Sequence, residues 1–259
     1  MPRSPGLVRP WSFLLARRRR RRGRRYLFIL SHMRSYSSLL SHILGSHPDV
    51  KGYVETHRSY STDADLHSLE ASVADDPQVP WDGRYVLDKV LHGHAEVDEA
   101  ILGRDDVDAI FLVREPEHAV RSIVAMGLER KNLDWKSDPR KAAEYYRRRL
   151  GQLVDMAAHK PHRSVFLEAD RLIDDTDVVL ARLTRFLGLA SPLRSKYDTF
   201  ELTGKRRYGD PGKYIKTGVV VAEREDYGDI EVPEPVMRKA LAAFAEAREM
   251  LSSRCEKVI

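Results

Sequence analysis

Short runs of apolar residues alternate with stretches of helical periodicity along most of the chain. The runs lack the polar alternation of half-exposed strands and are too short to cross a bilayer, so they predict buried parallel strands. They cover residues 26–30, 85–87, 109–113 and 164–167. Helices are predicted between or after them, over about 36–46, 63–74, 115–126, 139–159, 177–187 and 233–252. This alternation predicts the α/β class: a parallel β-sheet flanked by helices, with ligands bound at its carboxyl edge.

Charge is distributed unevenly along the chain. Residues 1–25 contain ten arginines and no acidic residue, and removing these ten charges from the net charge of +5 leaves −5 for the remainder. The positive net charge therefore does not indicate a nucleic-acid-binding body. We expect residues 1–25 to form a flexible Arg-rich extension, because like charges repel one another. Residues 26–259 have the length of a single domain with an adequate core.

The Arg-rich extension leaves several functions open, namely weak contact with an anionic membrane surface, binding of nucleic acid, and an organelle presequence. Its apolar stretch is too short for the core of a secretory signal peptide, and the sequence has no run of about 18 apolar residues. Cys255 is the only cysteine, which excludes an internal disulfide and favours a reducing compartment. We therefore expect a soluble, cytoplasmic protein.

Residues 34–40, Arg-Ser-Tyr-Ser-Ser-Leu-Leu, link the first predicted strand to the first predicted helix. The segment combines a guanidinium and serine hydroxyls with the N–H groups and positive end of a helix, which together bind anions. It predicts a site for a phosphate or sulfate ester, although a serine-rich helix start is also typical of a plain N-cap. The pattern G-x-x-x-x-G-K-[ST] of nucleotide triphosphatases is missing.

A second strand, turn and helix follow at residues 111–122. Arg114 comes directly after the strand, Pro116 fits the first turn of the helix, and Ser122 lies about two turns along it. Because the carboxyl ends of parallel strands meet at one edge of the sheet, we expect Arg114 to lie beside the first anion site.

Together the two segments resemble the sulfotransferases that use 3′-phosphoadenosine 5′-phosphosulfate (PAPS). Residues 34–40 are similar to the family pattern K/R-S-G-[ST]-[ST]-x-L, and an arginine followed eight residues later by a serine matches its second motif. Two positions depart from the pattern, since Tyr36 replaces a glycine and Ala169 replaces an aromatic residue. Other similar segments are 45–50, 88–89, 171–175 and 186–189, so the resemblance covers about residues 26–218. It implies a three-layer sandwich like that of P-loop NTPases and a PAPS-dependent enzyme of class EC 2.8.2.

The resemblance also implies which residues bind the nucleotide. Arg114 and Ser122 are expected at the 3′-phosphate. The loop 205–213 is similar to a Gly-rich basic loop of the family, whose cations can close over a polyanion. In this loop the expected contacts are Arg206, Arg207 and Lys213. At the 5′-phosphosulfate they are Arg34, Ser35, Tyr36, Ser37, Ser38 and Leu39.

Catalytic residues are implied in the same way. Glu55 lies in a segment that resembles the place of a catalytic glutamate, with His57 as its competitor or hydrogen-bonding neighbour. Lys89 resembles the lysine that other members use at the bridging oxygen. His92 and His94 remain alternative bases, because histidine titrates near neutral pH. Cations near Glu55 would lower its pKa and weaken it as a base, unless burial opposes them.

The pairs Glu55-x-His57 and His92-x-His94 also allow a metal interpretation, because alternate residues of an extended chain share a face. Without further acidic residues at fixed spacing this is weak evidence for zinc, and no metal cofactor is expected.

The expected function is in-line transfer of a sulfuryl group from PAPS to the hydroxyl or amine of a carbohydrate, lipid or small-molecule acceptor, with no specific nucleic-acid partner. Two alternatives stay open. A nucleotide-dependent kinase of P-loop-like fold is disfavoured by the missing Lys-[ST] pair that holds phosphates and Mg²⁺. A non-enzymatic protein could bind anions or nucleic acid through the basic extension.

Overall fold

A parallel β-sheet forms the centre of the protein. The computed structural model describes residues 23–74, 83–129, 135–205, 208–210 and 212–259. Within these residues the sheet has six strands, in the order β2-β3-β1-β4-β5-β6, and all pairs are parallel. The strands are β1 (Arg25–Ser31), β2 (Val50–Lys51), β3 (Tyr85–Val90), β4 (Val107–Val113), β5 (Ser164–Glu168) and β6 (Lys257–Val258). The parallel α/β fold predicted from the sequence is confirmed.

Helices connect these strands, and their starts follow from local sequence. One begins with a capping box, in which Thr62 and Asp65 exchange side-chain and backbone hydrogen bonds. Another begins at Pro139, where the Asp138 carboxylate accepts from the N–H of Arg140 at 2.8 Å. The α-helices in the described residues are α1 (Ser37–Gly45), α2 (Asp63–Val73), α3 (Glu99–Leu102), α4 (Pro116–Glu129), α5 (Pro139–Ala158), α6 (Arg171–Asp174), α7 (Thr176–Leu187) and α8 (Glu234–Arg254). Short 3₁₀ turns lie at Trp135–Ser137 and Tyr214–Thr217.

The sheet carries a hydrophobic core on each of its faces. On β1, Phe28 and Leu30 point to one face and Leu27 and Ile29 to the other, and all four are 0% exposed. Burial on both faces explains the unbroken apolar run in the sequence. The first face packs against α2, α3, α4, α5 and α8, and the second against α1, α6 and α7. The result is a three-layer sandwich.

The place of β1 in the sheet determines where a ligand can bind. The chain runs from β1 to the edge strand β2, returns to β3 beside β1, and then crosses to β4 on the other side of β1. In open α/β sheets such a reversal of strand order opens a crevice beyond the carboxyl ends of the central strands. The turns after β1, β3 and β4 meet there.

The shortest elements are not in the sequence prediction. Strands β2 and β6 have two residues each, and helices α3 and α6 have four each. Segments this short cannot show the hydrophobic periodicity from which elements are predicted. Arg25, which its charge assigned to the extension, is the first residue of β1 and lies 2.7 Å from the buried carboxylate of Asp108. Most of the predicted extension, residues 1–22, lies outside the described residues. None of the described helices has the length and apolarity needed to cross a membrane.

Candidate functional site

The turn between β1 and α1 has an uncommon backbone conformation. Arg34 and Tyr36 have φ angles of 63° and 61°, in the left-handed region. A residue other than glycine adopts that region at a cost of about 1–2 kcal/mol. Between them, the hydroxyl of Ser35 donates to the carbonyl of His32 at 2.8 Å. The chain thereby turns sharply from the end of the strand into the helix.

Within the described part of the chain, no side chain caps the first turn of α1. Its N-cap residue is Tyr36, whose side chain makes no capping hydrogen bond, while Ser37 and Ser38 lie inside the helix. The first N–H groups of a helix have no intrahelical acceptor, and they carry the positive end of its dipole. The plain N-cap interpretation of these serines is therefore wrong, and the helix start keeps the donors that an anion needs.

Tyr36, which departs from the family pattern, contacts the second motif. The guanidinium carbon of Arg114 lies 4.0 Å from the centre of the Tyr36 ring, and Nη2 donates to the Tyr36 hydroxyl at 2.6 Å. Arg114 also donates from Nη1 to the carbonyl of Arg34 at 3.3 Å, and its Nε lies 3.3 Å from Asp170 Oδ1. The two motifs predicted to hold opposite ends of one nucleotide are therefore in direct contact.

Arg34 is surrounded by partners from distant parts of the chain. Its Nε donates to the buried hydroxyl of Ser122 at 2.7 Å, and its Nη1 lies 2.9 Å from Asp210 Oδ1. Nη2 lies 3.5 Å from Glu225 Oε2 and donates to the hydroxyl of Tyr227 at 3.2 Å. Burial opposes ionisation of Asp210, but the charge of Arg34 and the N–H of a neighbouring glycine hold its pKa below the usual value. Two carboxylates thus stand beside a cation predicted to bind phosphosulfate.

Lys89 places a second cation at this turn. It is the last residue but one of β3 and is only 1% exposed, and its Nζ donates to the hydroxyl of Ser38 at 3.3 Å. Burial lowers the pKa of Lys89, and the charges of Glu55, Asp88 and Asp210 oppose that shift. The amine therefore lies between the predicted anion site and the predicted base.

Glu55 reaches the cavity because the chain passes closely over β3. Gly52 has a φ of 106°, and a Cβ there would lie 2.1 Å from the carbonyl oxygen of Leu87. The irregular segment after Gly52 carries Glu55, which is 7% exposed. Glu55 Oε1 lies 3.4 Å from His57 Nδ1 and 3.5 Å from His92 Nε2. Three of the four candidate bases therefore meet at one point.

The acidity of Glu55 reflects two opposing effects. Burial raises the pKa of its carboxyl, while the interaction with His57 and the charges of His92 and Lys89 lower it, and the net direction is downward. Burial lowers the pKa of His92, which the charge of Glu55 only partly offsets. Glu55 is accordingly ionised at neutral pH, and because burial does not outweigh the neighbouring cations, its lowered pKa makes it a weaker proton acceptor than an isolated glutamate.

These groups surround one cavity of about 740 Å³. Lys89 and Ser122 contact its wall through Ser38 and Arg34. Lys213 is exposed, with its Nζ 4.6 Å from the Tyr214 ring, and Arg206 and Arg207 lie outside the described residues. The predicted residues in its lining are Arg34, Ser35, Tyr36, Ser37, Ser38, Leu39, Glu55, His57, His92 and Arg114. The structure brings these residues together, and their roles stay predictions.

Sequence reasoning missed several groups that hold the site in place. His32 is fully buried, and its Nε2 accepts the backbone N–H of Arg114 at 3.0 Å, which ties the two turns together. Arg149 is 1% exposed and donates to the carbonyls of Ser31 at 2.9 Å and Val90 at 2.8 Å. In the sequence Arg149 belongs to a run of three arginines on a predicted helix. Such a run is typical of a solvent-exposed face and gives no indication that Arg149 is buried.

Comparison with known proteins adds evidence on the fold. No protein-family model matches the chain, and no curated protein matches its sequence. The sulfotransferase domain from the curacin biosynthetic pathway is similar at a TM-score of 0.58 and 18% identity, covering 86% of this chain and 98% of that one. The sulfotransferase domain from the Synechococcus PCC 7002 olefin synthase is similar at a TM-score of 0.60 and 20% identity, covering 86% and 96%. The chain therefore has the sulfotransferase fold that its two motifs resemble.

Proposed function

We propose that this protein transfers a sulfuryl group from PAPS to the hydroxyl or amine of an acceptor. The observation that carries the proposal is the convergence of three features at one cavity: the uncapped start of α1, the cations Arg34, Lys89 and Arg114, and the buried carboxylate of Glu55. A cavity of about 740 Å³ suits a nucleotide, since ligand sites commonly measure about 300–1,000 Å³. The fold is consistent with this activity.

The chain's own groups fit the two ends of such a donor. The N–H groups and hydroxyls of residues 35–39 would hold the 5′-phosphosulfate, as uncapped helix starts hold anions. Arg114 and Ser122 would hold the 3′-phosphate, with Arg114 exchanging its present partners for phosphate oxygens. Lys89 would stabilise charge on the oxygen that leaves sulfur. Arg206, Arg207 and Lys213 would cover the nucleotide.

When bound, PAPS supplies the sulfuryl group, whose sulfur bonds to the acceptor oxygen as its bond to the 5′-phosphate oxygen breaks and releases 3′-phosphoadenosine 5′-phosphate (PAP). Glu55 would take the proton from the attacking hydroxyl. His57 and His92 flank the same carboxylate and would orient it. Carbohydrate, lipid and small-molecule hydroxyls are all acceptors of this chemistry.

Calorimetric titration with PAP tests the binding half of the proposal. Arg114→Ala should bind PAP about 10- to 100-fold more weakly than the parent, the effect of losing one charge-assisted contact of about 1.5–3 kcal/mol. Arg182→Ala removes an exposed arginine on α7 and should bind like the parent. The unfolding curve of each variant checks that it is folded. Absence of PAP binding to the parent, or parental affinity in Arg114→Ala, would overturn the donor assignment.

Transfer itself is tested with labelled PAPS and pools of acceptors. Glu55→Gln should lose most of the single-turnover rate while keeping PAP affinity, because it removes a proton acceptor and leaves the anion site intact. Activity that consumes ATP and Mg²⁺ but not PAPS would instead favour the kinase alternative.

A further inference from the structure

The carboxylate of Glu55 has an unusual environment. It is 7% exposed, and its buried Oε1 has no hydrogen-bond partner among the residues that the structure describes. A buried polar atom without such a partner is uncommon and costly, and it calls for a ligand or a functional role. His57 Nδ1 lies 3.4 Å and His92 Nε2 3.5 Å from this oxygen, both beyond the usual hydrogen-bond range.

These separations match those between ligands of a small metal ion. Zinc binds histidine nitrogen at about 2.0–2.1 Å and carboxylate oxygen at about 2.0–2.2 Å in a tetrahedron, whose edges are then about 3.3–3.5 Å long. Two edges of such a tetrahedron are already present at Glu55. The ligand atoms of Glu55, His57 and His92 all lie within 4.8 Å of one another. His57 has a side chain 42% exposed, so its ring has room to shorten the third edge.

The surroundings leave space for a fourth ligand. Glu55, His57 and His92 all line the cavity of the proposed transfer site. Three protein ligands with one position open to solvent or substrate are typical of accessible zinc sites. Two imidazoles and one carboxylate favour Zn²⁺ and its first-row neighbours over Mg²⁺ or Ca²⁺, which prefer oxygen ligands alone.

We propose that Glu55, His57 and His92 bind a divalent first-row transition-metal ion, for which Zn²⁺ is the probe, and that the bound ion inhibits sulfuryl transfer. The inhibition rests on the proposed function, whereas the binding does not. A metal ion on Oε1 withdraws electron density from the carboxylate, which then no longer accepts the proton of an acceptor hydroxyl. The ion also fills the space beside Lys89 into which that hydroxyl would enter.

Titration of the full chain with Zn²⁺ in a calorimeter, and with Co²⁺ followed by visible absorption, tests the site. The parent should bind one ion per chain and give the intense absorption bands of four-coordinate Co²⁺. His92→Ala and Glu55→Gln should each weaken Zn²⁺ binding by more than about 100-fold, since loss of a direct ligand exceeds the 10–100-fold effect of an outer partner. His94→Ala is the matched control, because its ring stacks 5.3 Å from that of His92 without belonging to the ligand set. It should retain parental binding.

The proposal is overturned if the parent binds no ion stoichiometrically, or if His92→Ala and Glu55→Gln bind Zn²⁺ as tightly as the parent. It also fails if His94→Ala loses binding as fully as His92→Ala. PAP titration separates this result from the proposed function. Zn²⁺ binding without PAP binding keeps the metal site and removes the transfer proposal. PAP binding without Zn²⁺ binding keeps the transfer proposal and removes the metal site. In an active enzyme, Zn²⁺ should abolish transfer reversibly with a chelator, and a metal-bound protein with an undiminished rate contradicts the inhibition.

Discussion

Replacing Tyr36 by glycine would give this turn the residue found in the sulfotransferase pattern that it resembles, and we expect the change to destabilise the protein. The backbone of Tyr36 is left-handed, with φ at 61°, and glycine adopts that conformation without strain. The side chain of Tyr36, however, contacts Arg114, which is buried at 5% exposure. The two effects have opposite signs, so their magnitudes decide the outcome.

The contact outweighs the strain. Relief of the left-handed conformation is worth about 1–2 kcal/mol. Against it stand the 2.6 Å hydrogen bond from Arg114 to the Tyr36 hydroxyl, worth about 1.5–3 kcal/mol because the donor is charged, and the ring contact at 4.0 Å, worth about 0.5–2 kcal/mol. Glycine also adds about 0.5–1 kcal/mol of lost backbone freedom on folding. The free energy of unfolding of Tyr36→Gly should fall by about 0.5–5 kcal/mol.

Urea unfolding of the parent, Tyr36→Gly and Tyr36→Phe measures these contributions. Tyr36→Phe keeps the ring and the strained backbone and loses only the hydroxyl, so it should lose about 1.5–3 kcal/mol. It also leaves Nη2 of Arg114 without its tyrosine acceptor, and PAP should bind at least as tightly as to the parent. A Tyr36→Gly protein as stable as the parent would refute the reasoning, since backbone strain would then exceed the contact.

Three further predictions concern the charged groups of the site. Asp210→Asn removes a competitor for Arg34 and should tighten PAP binding by up to about fivefold in calorimetry, the scale of a partly exposed ion pair, whereas Asp226→Asn should leave it unchanged. Arg149→Met removes donors to two strand-end carbonyls and should lower the free energy of unfolding in urea by about 1.5–3 kcal/mol; parental stability would show that these bonds contribute nothing net. The pKa of Glu55 lies below its usual 4.5, and a base works above its pKa, so kcat/KM should stay constant from pH 8 down to about 5. A decline that begins above about pH 5 would assign the base to a histidine instead.

The sequence predicts the sheet and the turns after its central strands, because unbroken apolar runs and helix periodicity are local signals. The sequence does not predict which carboxylates lie beside the cations of the site. Arg34 and Asp210 are 176 residues apart, and Arg34 and Glu225 are 191 apart, with no periodic pattern to relate them. Nor does it predict the contact between the Tyr36 ring and Arg114, which lie 78 residues apart.

The charges of the assembled site explain why the net charge of the chain gives no sign of an anion-binding site. Outside its first 25 residues the chain has a net charge of −5, yet the predicted ligand is a polyanion. Each central cation stands near a carboxylate: Arg34 near Asp210, Arg114 near Asp170, and Lys89 in the field of Glu55. A site balanced in this way has little long-range field with which to attract an anion. The proposed affinity for PAPS would then come from short-range donors, above all the N–H groups of α1. It would also come from displacement of the Asp210 carboxylate, whose place beside Arg34 the phosphosulfate would take.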